Sequence, residues 1–224
     1  MANMRSSQKT AADELMRLYR ELAGRIHARQ NDFKEAYASY PDEKLFGELS
    51  FCTLTPQSKA HQAWKVIEEL MRTGLLMNGS AREIAAVIRA VHGVRFHNNK
   101  SRYIVENRTR LFTDGKFLLR EMIDVSDLAA TRRRLVKNIR GIGIKEASHF
   151  LRNIGFGDTV AIIDRHVLKN LIPLGILRRL PRTLTERTYI DIEAKMAVFS
   201  SKIGISLADL DLVLWYKEAG DVFK

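Results

Sequence analysis

The sequence has little cysteine, little proline and no long apolar run, and each shortage excludes a class of protein. Cys52 is the only cysteine among 224 residues, so the chain cannot form an internal disulfide framework, a four-cysteine zinc site or a four-cysteine iron-sulfur cluster. No apolar stretch approaches the roughly 20 residues of a membrane-spanning helix, and the amino terminus has no signal-peptide core. These features predict a globular protein that stays in a reducing, intracellular compartment and has no membrane partner.

Acidic residues are also in deficit. The chain has 37 lysines and arginines against 26 aspartates and glutamates, which gives a formal charge of +11. A net positive field of this kind favours a polyanionic partner such as nucleic acid. Charge alone does not separate DNA from RNA or from anionic lipid.

Helical periodicity runs through most of the chain. Apolar residues recur at spacings of three and four in 13–26, 61–76, 81–94 and 131–139, and no segment alternates as a half-buried strand would. The four prolines and thirteen glycines fall mostly between such stretches. Helix N-caps are predicted at Ser80, at Ser126 or Asp127, and at Ser206. The pattern predicts an all-α fold with about ten helices.

Residues 48–60 interrupt this pattern. An apolar run ends there in Thr55-Pro56, ahead of the next helix. We expect Thr55 to cap that helix and Pro56 to lie in its first turn, because both are common residues at helix starts.

The stretch 138–155, NIRGIGIKEASHFLRNIG, resembles a helix-hairpin-helix. We expect one helix to end at Gly141 and a second to run from Ile144 to Asn153, where Gly155 terminates it. Glycines in the hairpin let backbone N–H groups approach a DNA phosphate, and the start of the second helix points its positive end at the same anion. Such contacts anchor DNA without reading its sequence. The predicted phosphate contacts are Gly141, Gly143, Lys137 and Arg140, within a basic run that also includes Arg132, Arg133 and Arg134.

Lys145 occupies the first turn of the second helix. A cation is disfavoured at a helix start and beside other cations, and this is one way of preparing a nucleophilic amine. To lower the pKa of a lysine to near 7, its surroundings must disfavour the charged form by about 4 kcal/mol. A helix start supplies about 1 kcal/mol of this. Burial or a neighbouring base must supply the rest. The alternative is a surface lysine that binds the DNA backbone.

Asp164 follows nineteen residues later, after the apolar run 160–163 and at the start of another predicted helix. Aspartate is a good N-cap, and a carboxylate at a helix start stays ionised. An ionised Asp164 is suited to accept a proton from Lys145 or to stabilise a cationic sugar. A simple capping role is the alternative.

The combination of GIGIK and an aspartate about twenty residues later resembles the lysine-dependent, bifunctional branch of the helix-hairpin-helix DNA glycosylases. The strings GIGIKEASHFLRNIG, AIIDRHVL, ELSFCTLTPQSKA and DLVLWYKEAGDVFK are similar to the type 2 group of 8-oxoguanine DNA glycosylase/AP lyases, over about Phe46 to Lys224. The endonuclease III branch commonly carries a four-cysteine cluster, which one cysteine cannot form. Eukaryotic-type enzymes carry a further β-rich domain, and no pattern for it is present.

This resemblance implies two helical domains with the active site in the cleft between them. Residues 40–158 would form the domain that carries the helix-hairpin-helix, and 1–39 with 159–224 would form the second. Lys145 and Asp164 would face the cleft. The implied enzyme excises 8-oxoguanine through a lysine Schiff base and cleaves the strand by β-elimination, with no metal or cofactor. It would act as a monomer on double-stranded DNA containing oxidised guanine, in the cytoplasm and at the nucleoid.

For base recognition, the resemblance implies Trp215 and Lys224, and Phe96 is a candidate for the opposite wall of the pocket. Gln57 is a candidate for filling the gap left in the duplex. Two other functions stay open from the sequence: a non-catalytic helix-hairpin-helix protein that only binds DNA, and an RNA-binding helical protein with no preference for a lesion.

Overall fold

The fold is all-α, as predicted. The computed structural model describes residues 2–224, with only the backbone for residues 2–7, and this part of the chain holds eleven α-helices and one two-stranded ribbon. The first six helices are α1 (Ala2–Ser39), α2 (Asp42–Leu54), α3 (Ala60–Arg72), α4 (Leu75–Asn78), α5 (Ala81–Ala90) and α6 (His97–Leu111). Strands β1 (Phe112–Thr113) and β2 (Lys116–Phe117) follow. The last five helices are α7 (Leu128–Asn138), α8 (Ile144–Leu151), α9 (Arg165–Leu171), α10 (Glu186–Ile203) and α11 (Leu207–Ala219).

The chain divides into two compact units. One unit, called the central unit below, consists of Glu35–Ile154. The terminal unit holds the residues up to Lys34 together with Gly155–Lys224. The sequence placed the corresponding boundaries at 40 and 158. In the part of the chain that the structure describes, no helix has both the length and the hydropathy of a membrane span.

Helix α2 forms the core of the central unit. Every residue from Leu45 to Leu54 is buried, because this helix is apolar around most of its circumference and is packed against α3, α6 and α8. Helix α3, which packs against α2, buries one face. In α3 the apolar residues Ala63, Val66, Ile67 and Leu70 form that face. This arrangement places the α8 end of the hairpin motif directly on the core.

The terminal unit fixes an extended segment, Val160–Ile163, through side chains of α10 and α11. The amide of Ala161 donates to the carboxylate of Glu193 at 2.8 Å, and the amide of Ile162 donates to Asp211 at 3.0 Å. The hydroxyl of buried Tyr189 donates to the carbonyl of Ala161 and accepts from the amide of Ile163. These bonds satisfy a backbone that has no strand partner.

The predicted N-caps of three helices are confirmed. The side chain of Ser80 accepts from the amide of Glu83, that of Asp127 from the amide of Ala130, and that of Ser206 from the amide of Asp209. Between the two alternatives for α7, the cap is therefore Asp127.

The prediction for Thr55-Pro56 is wrong. Thr55 follows the last turn of α2, and α3 begins at Ala60 with Lys59 before it. The intervening Gln57 has a left-handed backbone with φ +54°, so a continuous α-helix from Pro56 into α3 is not possible. Pro56 therefore lies in a turn between the two helices.

Two smaller differences concern predicted helix ends and strands. Helix α8 ends at Leu151, and one π-helical turn, Arg152–Phe156, replaces the expected last α-helical turn. The β1–β2 ribbon turns at Asp114-Gly115, where both residues have positive φ. Aspartate followed by glycine is a strong signal for such a turn, but two-residue strands are too short to show alternation.

Candidate active site

Helices α7 and α8 with the connection 139–143 form the predicted helix-hairpin-helix. Gly141 has φ +84°, and a Cβ atom there would lie 2.4 Å from the ring of Tyr103. The side chain of Asn107 accepts from the amide of Arg140 at 2.7 Å and donates to its carbonyl at 2.9 Å. Helix α6 therefore holds the hairpin at two adjacent residues, and glycine is required at 141 both for its φ and for the space.

The basic run before the hairpin is only partly available to a phosphate. Arg133, Lys137 and Arg140 are exposed. Arg132 is 5% exposed and donates to the hydroxyl of Ser148 at 3.1 Å, so this member of the basic run is not available to a phosphate. Its position in α7 faces α8, which explains its burial. The three exposed cations of the run are accessible to a phosphate without a change in the structure.

Lys145 lies in the first turn of α8, as predicted, and its side chain is 25% exposed. Its Nζ atom is 2.9 Å from Oε1 of Glu146. The second carboxylate oxygen of Glu146 accepts from the amide of Gly143 at 3.0 Å. Glu146 therefore joins the hairpin backbone to the amine.

The sequence reasoning missed Glu146, although a local signal was present. A glutamate at the third helical position that reaches back to the residue before the helix is half of a capping box. At this helix the residue before the start is Gly143, which has no side chain to complete the pattern.

A second lysine, Lys100, is buried near Lys145. Its ammonium group donates to the carbonyls of Leu54 and Pro56 at 2.6 and 2.7 Å, and to the hydroxyl of Ser58 at 2.8 Å. Burial, followed by the charge of Lys145, lowers the pKa of Lys100 to about 8. Lys100 thereby fixes the connection between α2 and α3.

Other ionisable groups from α2 adjoin the same region. Glu48 is fully buried and accepts from the side-chain amide of Asn153 at 3.3 Å. Cys52 is also fully buried, and burial followed by the charge of Glu48 raises the pKa of its thiol well above the usual value. Lys145 and Arg152 act on that thiol in the opposite direction. The amine therefore lies beside a mixed set of charges, and not in a purely cationic patch.

Asp164 is the N-cap of α9, as predicted. Its Oδ1 atom accepts from the amide of His166 at 2.8 Å and from that of Val167 at 2.9 Å. Oδ2 takes no part in these two bonds. The carboxylate is held at the positive end of α9 and directly after the fixed segment 160–163.

Trp215 lies on α11 in the same unit, next to the helix that Asp164 caps. Its ring meets the ring of His166 edge to face, with centroids 6.2 Å apart. Glu218 accepts from Asn170 at 2.9 Å and from Lys169 at 3.2 Å, so α9 and α11 are joined. The indole N–H of Trp215 is buried and has no hydrogen-bond partner among the described residues.

The carboxyl terminus is held against the terminal unit. Val222 is buried and Lys224 is half-buried. Asp221 forms an ion pair of 2.7 Å with Arg25 of α1. These contacts fix the chain up to its last residues.

Phe96 and Gln57 share an unusual backbone conformation. Phe96 has φ +61° and is 47% exposed, and Gln57 has φ +54° and is also exposed. Arg95 connects them, because its guanidinium lies 5.1 Å from the ring of Phe96 and donates to the side-chain carbonyl of Gln57 at 3.3 Å. Left-handed backbone at two exposed, non-glycine positions is a form of strain that occurs mostly at functional sites.

The predicted site residues thus fall into two groups. The central unit holds Lys145, Gly141, Gly143, Lys137, Arg140 and Phe96. The terminal unit holds Asp164, Trp215 and Lys224. Within residues 2–224, no cluster of three or more histidine, cysteine, aspartate or glutamate side chains is arranged to hold a metal ion.

Comparison with known proteins agrees with these features. The family model described as 8-oxoguanine DNA glycosylase matches residues 26–205. The 8-oxoguanine DNA glycosylase/AP lyase of Fusobacterium nucleatum is 42% identical over 213 residues, which cover 95% of this chain and 97% of the relative. That of Korarchaeum cryptofilum is 40% identical and covers 89% of this chain and 90% of the relative.

Solved structures give the same result. The crystal structure of the 8-oxoguanine DNA glycosylase of Thermotoga maritima matches with a TM-score of 0.84 and 32% identity, over 97% of this chain and all of that one. The glycosylase/lyase of Methanocaldococcus jannaschii, in complex with a 15-mer DNA containing 8-oxoguanine, matches with a TM-score of 0.82 and 31% identity, over 94% of this chain and all of that one. With a hairpin lysine, a capping aspartate and these relatives, the chain belongs to the 8-oxoguanine DNA glycosylase family of helix-hairpin-helix proteins.

Proposed function

We propose that this chain excises 8-oxoguanine from double-stranded DNA and cleaves the strand at the resulting abasic site. The observation that carries the proposal is the position of Lys145, directly after the hairpin glycines of a chain that belongs to this family. The relatives named above are glycosylases and AP lyases, and one was crystallised with DNA containing the lesion.

The hairpin anchors the DNA backbone in this proposal. Gly141 leaves the backbone uncovered, and Lys137 and Arg140 are exposed next to it. Two cations and a helix start can neutralise successive phosphates without contacting bases. This binding mode suits an enzyme that must examine any sequence for damage.

Lys145 is the nucleophile in the proposed chemistry. The damaged nucleotide is first turned out of the duplex, since its sugar carbon cannot be reached within stacked bases. The neutral amine of Lys145 attacks C1′, and the oxidised base leaves with the electron pair of the glycosidic bond. The C1′–O4′ bond then breaks, O4′ takes up a proton, and a protonated Schiff base forms. The protonated imine acidifies the C2′ proton, and β-elimination breaks the strand on the 3′ side of the lesion. These steps use no metal ion and no organic cofactor.

Asp164 stabilises the positive charge that develops on the sugar as the base leaves. Its Oδ1 is committed to two amides of α9, so the carboxylate is fixed in position before DNA binds. A fixed charge stabilises a transition state more effectively than one that must reorganise.

Trp215, Phe96 and Lys224 form the proposed base-recognition set. An extruded purine requires flat apolar surfaces and polar groups at its edge. Trp215 offers a ring fixed against His166, and Phe96 offers a ring that is 47% exposed. Lys224, which is half-buried at the end of the described residues, is the polar member of the set and would contact the edge of the base.

Borohydride trapping tests the proposed function, because only an imine is reduced to a stable covalent link between protein and DNA. Wild-type protein should be trapped on an 8-oxoguanine duplex, and Lys145→Gln should bind the duplex but not be trapped. Lys195→Gln is the matched control, since Lys195 is also paired with a neighbouring carboxylate, that of Asp191 at 2.6 Å. It should be trapped like the wild type.

Binding of the duplex by the wild type without trapping or cleavage would instead indicate a non-catalytic DNA-binding protein. Trapping that survives in Lys145→Gln would exclude Lys145 as the principal nucleophile. We also expect the enzyme to act as a monomer, which light scattering of the free protein and of the complex will check.

A further inference from the structure

Glu146 contacts the two parts of the motif that matter most for the proposed chemistry. One carboxylate oxygen forms an ion pair with Nζ of Lys145 at 2.9 Å, and the other accepts from the amide of Gly143 at 3.0 Å. The Glu146 side chain is only 12% exposed. The carboxylate is therefore fixed by the hairpin backbone and positioned against the amine.

Within the described chain, Glu146 is the carboxylate in ion-pair contact with Lys145. Glu48 also lies in this region, but its carboxylate accepts from Asn153. Lys100, whose pKa the charge of Lys145 lowers, is committed to two carbonyls and a hydroxyl. A lysine that must lose a proton before it reacts thus has one acceptor in direct contact.

We propose that Glu146 is a catalytic residue that accepts a proton from Lys145 before the amine attacks C1′. This inference rests on the proposed function, and it adds a base that is distinct from Asp164. The amide of Gly143 serves to hold the accepting carboxylate, and the hairpin therefore has a second task besides binding phosphate.

The step balances in protons and electrons. Glu146 takes one proton from the ammonium group, and the lone pair left on Nζ forms the bond to C1′. The bond between C1′ and the base nitrogen breaks, and its electron pair stays on the departing base. Glu146 then reionises, and its proton passes through solvent to neutralise the base anion. The carboxylate ends the excision step as it began.

Proton transfer from a lysine to a glutamate is unfavourable in water, where their pKa values differ by about six units. Removing water from the pair reduces this difference, because transfer converts two charges into two neutral groups and burial disfavours charge. Both side chains are already three-quarters buried or more in the free protein. A bound duplex would cover them further.

The test is Glu146→Gln, in single-turnover excision of 8-oxoguanine from pH 5.5 to 7. The glutamine oxygen can still accept from the amide of Gly143, so the hairpin keeps its cap while the base is lost. We expect excision at pH 7 to fall by about a hundredfold, the usual effect of losing a general base. The deficit should shrink as pH rises, because solvent removes the proton more readily at higher pH. Duplex affinity and melting temperature should stay near the wild-type values.

Glu83→Gln is the matched control. Glu83 occupies the same position of the capping box of α5, and its carboxylate accepts from the amide of Ser80 at 2.8 Å. It contacts no lysine among the described residues. This variant should excise 8-oxoguanine at the wild-type rate throughout the pH range.

Lys100 has a pKa of about 8, and Glu146 raises that pKa, so Glu146→Gln brings the titration of Lys100 closer to the upper end of the range. The two proteins are therefore compared at pH 7 and below. The other ionisable groups around the pair are unchanged in both variants. They are Glu48 and Cys52 of α2, Arg95 before α6, His149 of α8, and Arg152 after α8.

Two outcomes would overturn the inference. If the excision rate of Glu146→Gln stays within threefold of the wild-type rate across the pH range, Glu146 only caps the helix and is not a base. Faster excision by the variant at low pH would mean that the carboxylate only holds the amine in its charged form. Both outcomes require an active wild type that borohydride traps, so they are distinct from a failure of the proposed function.

Discussion

Replacing Gly141 with alanine tests how the hairpin is held, and the structure gives the expected magnitude. Gly141 has φ +84°, where an L-residue costs about 1 to 2 kcal/mol. The new Cβ would also lie 2.4 Å from the ring of Tyr103, and overpacking of this kind costs about 1 to 3 kcal/mol. We expect the free energy of unfolding to fall by about 2 to 5 kcal/mol. For a chain of this length, that lowers the melting temperature by about 4 to 20 °C.

Gly115→Ala provides the control, because it places an alanine in a left-handed backbone without creating a steric clash. Gly115 has φ +73°, and nothing lies within 4 Å of an added Cβ. Urea titration of both variants should show a loss of about 1 to 2 kcal/mol for Gly115→Ala and a clearly larger loss for Gly141→Ala. The difference between the two measures the contact with Tyr103.

The functional part of the prediction concerns the DNA backbone. Moving the hairpin away from Tyr103 also moves the Arg140 backbone that Asn107 holds. Duplex affinity should therefore fall in Gly141→Ala and not in Gly115→Ala. Equal stability losses and equal affinities in the two variants would refute the view that close packing on α6 positions the hairpin.

Three further predictions concern charge. Removing the exposed cations in Lys137→Gln/Arg140→Gln should reduce the slope of log affinity against log salt concentration by about 1.8, since each phosphate contact contributes about 0.9. Asp164→Asn should lower excision by about a hundredfold. Its melting temperature should stay nearly constant, because asparagine caps a helix as well as aspartate does. Asp127→Asn makes the same change at the cap of α7 and should leave excision intact. The pKa of Lys100 is about 8 in the folded protein and about 10.4 in the unfolded chain, so between these pH values the unfolded chain holds the additional proton. Wild-type stability should therefore rise by about 2.5 kcal/mol from pH 8 to 10.5 relative to Lys100→Met. Parallel slopes of stability against pH for the two proteins would contradict this.

Much of the fold could be predicted because its signals are local. The N-cap signal is a serine or aspartate directly before an apolar repeat, and it lies within four residues of sequence. This signal predicts the caps of α5, α7 and α11. Thr55-Pro56 carries an equally good local signal, yet the prediction there was wrong. The ammonium of Lys100, more than forty residues away, binds the carbonyls of Leu54 and Pro56 and draws the chain into a turn. A tertiary contact of this kind has no counterpart in the local pattern.

The same limit applies to the surroundings of Lys145. From the sequence, its neighbours along the chain are mainly basic, and we expected a cationic patch at a helix start. In the structure the basic run is divided, with Arg132 buried against Ser148 and Lys137 exposed. Glu146 instead lies against the amine. The charge of a sequence is therefore a good predictor of the kind of partner that the surface attracts. It is a poorer predictor of the environment of one side chain.

This difference changes how activation of the amine is explained. A helix start contributes about 1 kcal/mol toward a neutral amine, against the roughly 4 kcal/mol that neutrality requires. A cationic patch would have supplied part of the rest by repulsion, but the group in contact with the amine is a carboxylate. Under the proposed mechanism, repulsion is therefore not the main source of activation. Proton transfer within the pair, with water excluded by a bound duplex, would prepare a lysine that is held against a carboxylate in the free protein.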